Sequence, residues 1–175
     1  MGIQKIQNIG AGFPHQANKV LAGKCRLYIC KGSLDGVKLP ENKAALKALY
    51  TGATAVFLPM GDMDNAGSHI TWEQQTYDVD FSTLGLGYTV TGTFMGITVT
   101  TESLEFMDNL GFDEYTILCV PDGRDDVFFA LSGVTITTAG NLDVVENESI
   151  SKVTYTATRR VNNLTDAIKY KELAA

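Results

Sequence analysis

Small hydroxyl side chains alternate with apolar ones along three stretches in the second half of the chain. These are Gly87–Thr101 (GYTVTGTFMGITVTT), Asp126–Thr138 (DVFFALSGVTITT) and Ser151–Val161 (SKVTYTATRRV). A period of two predicts strands, because successive side chains point to opposite faces. In the last stretch Thr154, Thr156 and Thr158 share one face, while Val153, Tyr155 and Ala157 share the other. In the first, Thr89, Thr91 and Thr93 stand opposite Tyr88, Val90 and Phe94 in parity up to Phe94. The apolar parity then switches to Met95, Ile97 and Val99, and Gly92 and Gly96 bracket the switch. This predicts a bulge, or a strand that serves two environments. One face of these strands packs on a core. The other is polar but nearly uncharged, whereas a face built only for solubility would carry more Lys and Glu.

The same reading places a strand at Lys24–Cys30, then a loop punctuated by Gly and Pro (KGSLDGVKLP). A short helix is expected over Glu41–Tyr50, with Pro40 suited to its first turn. An apolar strand at Thr54–Leu58 and a turn at Gly61–Gly67 precede a strand over Ser68–Phe81. Glu102–Leu110 has apolar residues at helical spacing, and Tyr115–Val120 is apolar on both faces, as in a central strand. Pro121–Asp125 (PDGRD) is a turn that joins this strand to the next as a hairpin. The fold class is therefore mainly β, an antiparallel β-sandwich or small barrel with one or two short flanking helices. Residues 1–20 read as an N-terminal arm ordered by a partner, 21–162 as the β domain, and 163–175 as a tail forming a short helix or a docking arm.

Composition narrows the function. The 175 residues suffice for one domain with its own core, and 45% hydrophobic content argues against disorder. A formal net charge of −6 disfavours tight binding of nucleic-acid phosphates, though not the passage of nucleic acid alongside. Cys25, Cys30 and Cys119 are odd in number and lack a CxxC spacing, so they are expected to be reduced residues of a cytoplasmically matured chain. No secretory h-region is expected in MGIQKIQNIGAGFPHQ, and no run is long enough for a membrane helix.

Candidate chemistry is sparse. His15 and His69 lie at no familiar ligand or nucleophile spacing, and no HExxH, GxSxG or Gly-rich phosphate loop occurs. Asp62–Gly67 with Glu73 partly matches a calcium loop, but Ala66 stands where a ligand belongs and strands flank the segment. An acidic turn is the simpler reading. Neither catalytic residues, cofactor nor metal is expected. Arg159 and Arg160 point to opposite faces of the last strand. They are either a solvated edge or partners for acidic groups such as Asp122, Asp125 or Glu146 on a neighbouring copy.

The order of parts is similar to that of the tail tube proteins of long-tailed bacteriophages, which in turn resemble the haemolysin-coregulated tube protein of type VI secretion. The likeness spans roughly residues 20–162. It rests on layout: the ITWEQQTYDVDF strand, the long Thr/Gly strand, the ESLEFMDNL helix, the YTILCVPDGRDDVFFALSGVTITT hairpin and the closing SKVTYTATRRV strand. The resemblance implies a virion structural protein, made in the host cytoplasm, whose six-copy rings join their inner strands into one β-barrel and stack into a tube. Its implied partners are further copies of itself and other virion tail proteins. Genomic DNA would pass through without specific binding, and no membrane is involved. Under this reading Thr154, Thr156, Thr158, Thr89, Thr91 and Thr93 face the lumen, while Pro14, Lys31, Asp35, Lys38, Arg159 and Arg160 lie at subunit contacts. Another ring protein of the same fold (distal tail, tail terminator or head–tail joining protein) is the alternative, with a ligand-binding β-sandwich behind it. The single Trp72 disfavours a sugar platform.

Overall fold

A computed structural model describes residues 25–63, 68–99, 101–121, 123–124, 126–142 and 152–173. Eight strands and three short helices follow one another as β1 (Cys25–Lys31), α1 (Lys43–Tyr50), β2 (Leu58–Met63), β3 (His69–Val79), β4 (Ser82–Thr98), α2 (Thr101–Asn109), β5 (Tyr115–Pro121), β6 (Val127–Gly140), β7 (Lys152–Val161), α3 (Leu164–Ala167) and β8 (Ile168–Glu172). All strand pairs are antiparallel. The strands form one sheet in the order β2-β1-β5-β6-β7-β4-β3, with β8 also on β6. Among the described residues this sheet is not closed into a barrel.

The sheet folds over at β6. Residues 127–134 of that strand pair with β5 and β8, whereas Thr135–Gly140 pair with β7. Gly133 sits at the handover with φ +68°, a left-handed conformation that glycine adopts without steric cost. The folding brings one face of each half together around a shared core. Leu27, Ile117 and Cys119 from the first half meet Val90, Phe94, Tyr155 and Ala157 from the second. Gly92 marks a close approach of the halves: a Cβ there would lie 2.4 Å from Leu131 Cδ1, and 3.1 Å from the Phe94 ring of its own strand.

A second core covers the outer face of the first half. Leu46 of α1 and Phe57 pack on Tyr28, Leu118, Val120, Phe128 and Ala130, and Tyr28 stacks on Tyr50 with ring centroids 4.3 Å apart. This explains the uninterrupted apolar run in β5, which lies between β1 and β6 and is buried on both faces from Thr116 to Pro121. The buried Thr116 hydroxyl donates to Gly32 O at 2.8 Å, so its burial leaves no unmet donor.

Several expected boundaries shift. α1 begins at Lys43, because the Asn42 side chain caps it by accepting from Ala45 N at 2.8 Å; Pro40 precedes the cap rather than entering the first turn. The apolar stretch at Thr54–Leu58 is not a strand until Leu58, since Val56 and Phe57 spend their N–H groups on Leu49 O, closing the end of α1. β4 starts at Ser82, five residues earlier than the Thr/Gly pattern suggests, through a tight turn at Asp80–Phe81. The parity switch at Phe94–Met95 is a bulge: the β4–β7 register shifts between Phe94 and Ile97, and Ser68 Oγ fastens it by accepting from Met95 N at 2.9 Å. Residues 164–172 form α3 and β8, which runs along β6.

Gly133→Ala tests the handover. The added Cβ would sit in a left-handed conformation, 2.8 Å from Arg159 Nη1 and 3.2 Å from Ser33 Cβ. Chemical denaturation should show a loss of about 1–2 kcal/mol or more; an unchanged midpoint would mean that β6 can cross between the halves without glycine.

A candidate assembly surface

The antiparallel registers turn the Thr pattern into a two-dimensional surface, because residues paired across strands share a face. One row runs His69, Thr93, Thr156, Thr137 across β3, β4, β7 and β6; the next runs Thr71, Thr91, Thr158, Thr135. A third runs Glu73, Thr89, Arg160, and Thr154 lies beside Ala139. All six threonines expected on the polar face therefore share it, each half-buried by its neighbours. Thr71, Thr135 and Thr137 extend it on either side and are more exposed. The parity of ITWEQQ and GVTITT carried that signal, but only the register shows that those strands flank the central pair. Hydroxyls on this face bond locally. Thr71 Oγ1 donates to Thr91 O at 3.4 Å, Thr135 Oγ1 to Thr158 O at 3.3 Å, and Gln75 Nε2 to Thr89 Oγ1 at 3.2 Å. The middle of the face is thus polar but uncharged, with Glu73 and Arg160 confined to one end.

Both edges of this four-stranded half are open among the described residues. β3 pairs only with β4, and Thr135–Gly140 of β6 pair only with β7. Such edges offer unpaired N–H and C=O groups to another strand.

Arg159 faces the opposite way from Arg160 and finds its partners within the chain. Its Nη1 donates to Ser132 O at 2.8 Å and Asp166 O at 3.0 Å, and its Nη2 to Asp35 Oδ2 at 2.9 Å. One guanidinium thereby ties β6, α3 and the loop after β1 to β7. The same loop is held by Leu34 N, which donates to Ser132 Oγ at 2.7 Å, and by Gly32 N, which donates to Glu114 O at 2.8 Å. Its other charged residues lie at the surface: Lys31 is 3.1 Å from Asp113, and Lys38 is 3.3 Å from Glu41. Pro14, His15, residues 64–67 of the acidic turn, Asp122, Asp125 and Glu146 lie outside the described residues.

No group of three His, Cys, Asp or Glu able to hold a metal occurs among the described residues. Cys25, Cys30 and Cys119 form no disulfide; burial pushes the Cys119 thiol well up, with Cys25 nearby adding to the shift. The features that stand out among the described residues are a broad hydroxyl face and the open edges beside it.

The chain matches no protein-family model and no curated protein. Among solved structures it is similar to a chain in the cryo-EM structure of the anti-feeding prophage baseplate, 6-fold symmetrised, at 7% identity and a TM-score of 0.45, covering 91% of this chain and 100% of that one. It is also similar to a chain of the sheath–tube complex of an extracellular contractile injection system (PVC) in the extended state, at 9% identity and TM-score 0.41, covering 85% and 89%. A chain from the sheath/tube terminator of that system aligns at 10% identity and TM-score 0.40, covering 92% and 99%. Likeness at this level fixes neither the role of the chain nor its partners.

The Arg159 hub makes a graded prediction. Arg159→Ala strands two carbonyl acceptors and should cost about 2 kcal/mol. Asp35→Asn removes only the half-exposed arm and should cost less than about 1 kcal/mol. The Arg159 hydrogen bond holds the Asp35 carboxyl below its ordinary pKa. Its contribution is therefore complete above the unfolded-state value and is lost as pH falls through the depressed folded-state value. Denaturation midpoints between pH 7 and pH 2 should fall less steeply on the acid side for Asp35→Asn than for the wild type; parallel curves would remove Asp35 from the hub.

Proposed function

We propose that the protein is a structural subunit of a phage-tail-like assembly, and specifically a tail tube subunit whose rings enclose a DNA-conducting channel. The observation that carries this reading is the four-stranded polar half with two open edges. Four is an even number, and all its pairs are antiparallel. Copies related by rotation can therefore set β3 of one beside residues 135–140 of the next and keep the strands alternating in direction. A closed ring removes both edges. Six copies would join about 24 strands, more than the roughly 16–18 that already leave an aqueous channel in porins.

The hydroxyl face would then line the lumen, with Thr89, Thr91, Thr93, Thr154, Thr156 and Thr158 wetted and uncharged, and Arg160 kept to one end of the face in the row that also holds Glu73. The net charge of −6 points the same way. Arg160, Lys31 and Lys38 are placed to meet neighbouring copies, while Arg159 positions Asp35 and its loop for such a contact. Residues 1–20, with Pro14, serve as an assembly arm, 21–162 as the body, and 163–175 as a tail that completes the fold along β6. Other tail proteins cap the ends of the tube. A distal tail, terminator or head–tail joining ring would use the same edges but would not stack into a tube of many rings.

Electron micrographs of the purified chain should show hollow rings and stacks of them. A Thr156→Lys variant should fold and form rings of the same diameter, but its tubes should retain added DNA that wild-type tubes release. A solitary monomer at high concentration would rule out the ring, and unaltered DNA release by Thr156→Lys would rule out a lumenal face.

A further inference from the structure

The two open edges of the polar half do not stand level with each other. Rows drawn across its four strands set Thr137 level with His69, and Thr135 level with Thr71. Residues 138–140 therefore stand beyond His69, where β3 begins, while β3 runs on to Val79, well past the level of Thr135. The half is a staircase, one edge high and the other low. On the hairpin side of Tyr88, β4 loses its pairing with β7, so residues 76–86 continue as a ribbon two strands wide. That ribbon carries Tyr77, Val79, Phe81, Leu84 and Leu86, all exposed. It turns through Asp80 and Phe81 at φ +34° and +70°, a strained conformation for a phenylalanine. A ribbon of this width is marginal in water by itself.

Copies that met row to row would match these edges poorly. Residues 135–137 would face residues 71–69, and the rest of the β6 edge would find no strand beside it. Sliding the next copy toward the hairpin corrects this. The slide must be an even number of residues, because an odd one would set the hydroxyl face of one copy beside the core face of the next. A slide of two still leaves Gly140 opposite Ser68, before β3 begins. A slide of four puts all of residues 135–140 opposite residues 75–70. Barrel geometry leads to the same number. Four strands at about 4.8 Å span about 19 Å, and four residues at about 3.3 Å span about 13 Å, which tilts the strands by about 35°. Closed barrels tilt by roughly 35–45°. A slide of two gives about 19°, and a slide of six gives about 46°. Six would also carry the pairing past Gln75, into the register shift where the ribbon departs. The tilt depends only on the slide and width of one copy, not on how many copies close the ring.

We propose that β3 of one copy pairs antiparallel with β6 of the next in this register: Ile70 opposite Gly140, Trp72 opposite Thr138, Glu73 opposite Thr137 and Gln75 opposite Thr135. This rests on the ring reading above and deepens it by fixing the contact and the tilt of the strands. Glu73 of each copy then continues into the Thr137, Thr156, Thr93 row of the next, so the hydroxyl rows wind around the lumen as continuous stripes. The ribbon gains a support as well. Its residues 76–79 come level with residues 131–134 of the next copy, where β6 folds over.

Paired cysteines read the register. Glu73→Cys/Thr137→Cys and Thr71→Cys/Ala139→Cys fit the slide of four, whereas Thr71→Cys/Thr135→Cys fits copies that meet row to row. All of these positions are exposed. Within one chain each pair is separated by three strand spacings, about 14 Å or more, so any disulfide joins two copies. Cys30→Ala removes the half-buried native thiol from all three variants. Assembled rings oxidised with diamide should give ladders of covalent multimers from the first two pairs, on the order of ten times more than from the third. A ladder from the third pair instead, or from none of them while rings form, would overturn the register and leave the ring reading intact. A wild-type chain that forms no rings would overturn both.

Discussion

Strand β6 has to belong to two sheet halves, and the rest of the molecule is arranged around that requirement. Its first part is central, between β5 and β8, and is buried on both faces for much of its length. Its last part lies at the edge of the polar half. A strand that changes partners needs a residue able to turn the backbone and a tie that fixes the angle. Gly133 supplies the turn, and Arg159 supplies the tie by reaching from β7 to Ser132 O, Asp166 O and the Asp35 carboxylate. A guanidinium suits this position because its donors are fixed in a plane and remain charged. It also spans three segments of chain that share no strand pairing with one another at that point.

The energetic consequence is a division of labour between the halves. The first half has two cores, one on each face, and buries most of the large apolar side chains. The second half has a core on one face only. Its other face is a sheet of threonines, whose β-branched side chains suit a strand while keeping a hydroxyl toward water. The first half can therefore hold the second in place while the latter leaves its backbone edges and one entire face available. The cores and the open backbone edges lie in different parts of one continuous sheet.

Much of this was legible in the chain. The alternation at Val153–Thr158 and Thr89–Phe94 marked both the strands and their polar face, and the double-sided apolar run at Tyr115–Val120 marked the central strand. The parity change at Met95 announced the bulge. What escaped sequence reading depends on contacts distant along the chain. Arg159 and Arg160 are equivalent in sequence, and only the fold over β6 engages one, half-buried, in a hub and leaves the other on the polar face. The apolar stretch at Thr54–Phe57 reads as a strand but serves the end of α1, because Leu49 O is there to accept its N–H groups. The Asp80–Phe81 turn carries none of the Gly or Asn that usually marks a hairpin. Its strain is visible only in the backbone. The apolar groove between β3 and β8 is lined from six strands and has no local signature at all.

In the proposed ring, identical copies complete the open edges of the polar half. Amide hydrogen exchange, compared between dissociated chains and the assembled state, tests it most directly. Protection should rise together along β3 at residues 69–75 and along β6 at residues 135–140, while β5, already central, should hardly change. Exchange that stays fast at either edge in the assembled state would contradict the account, because a ring closed through these strands must engage both.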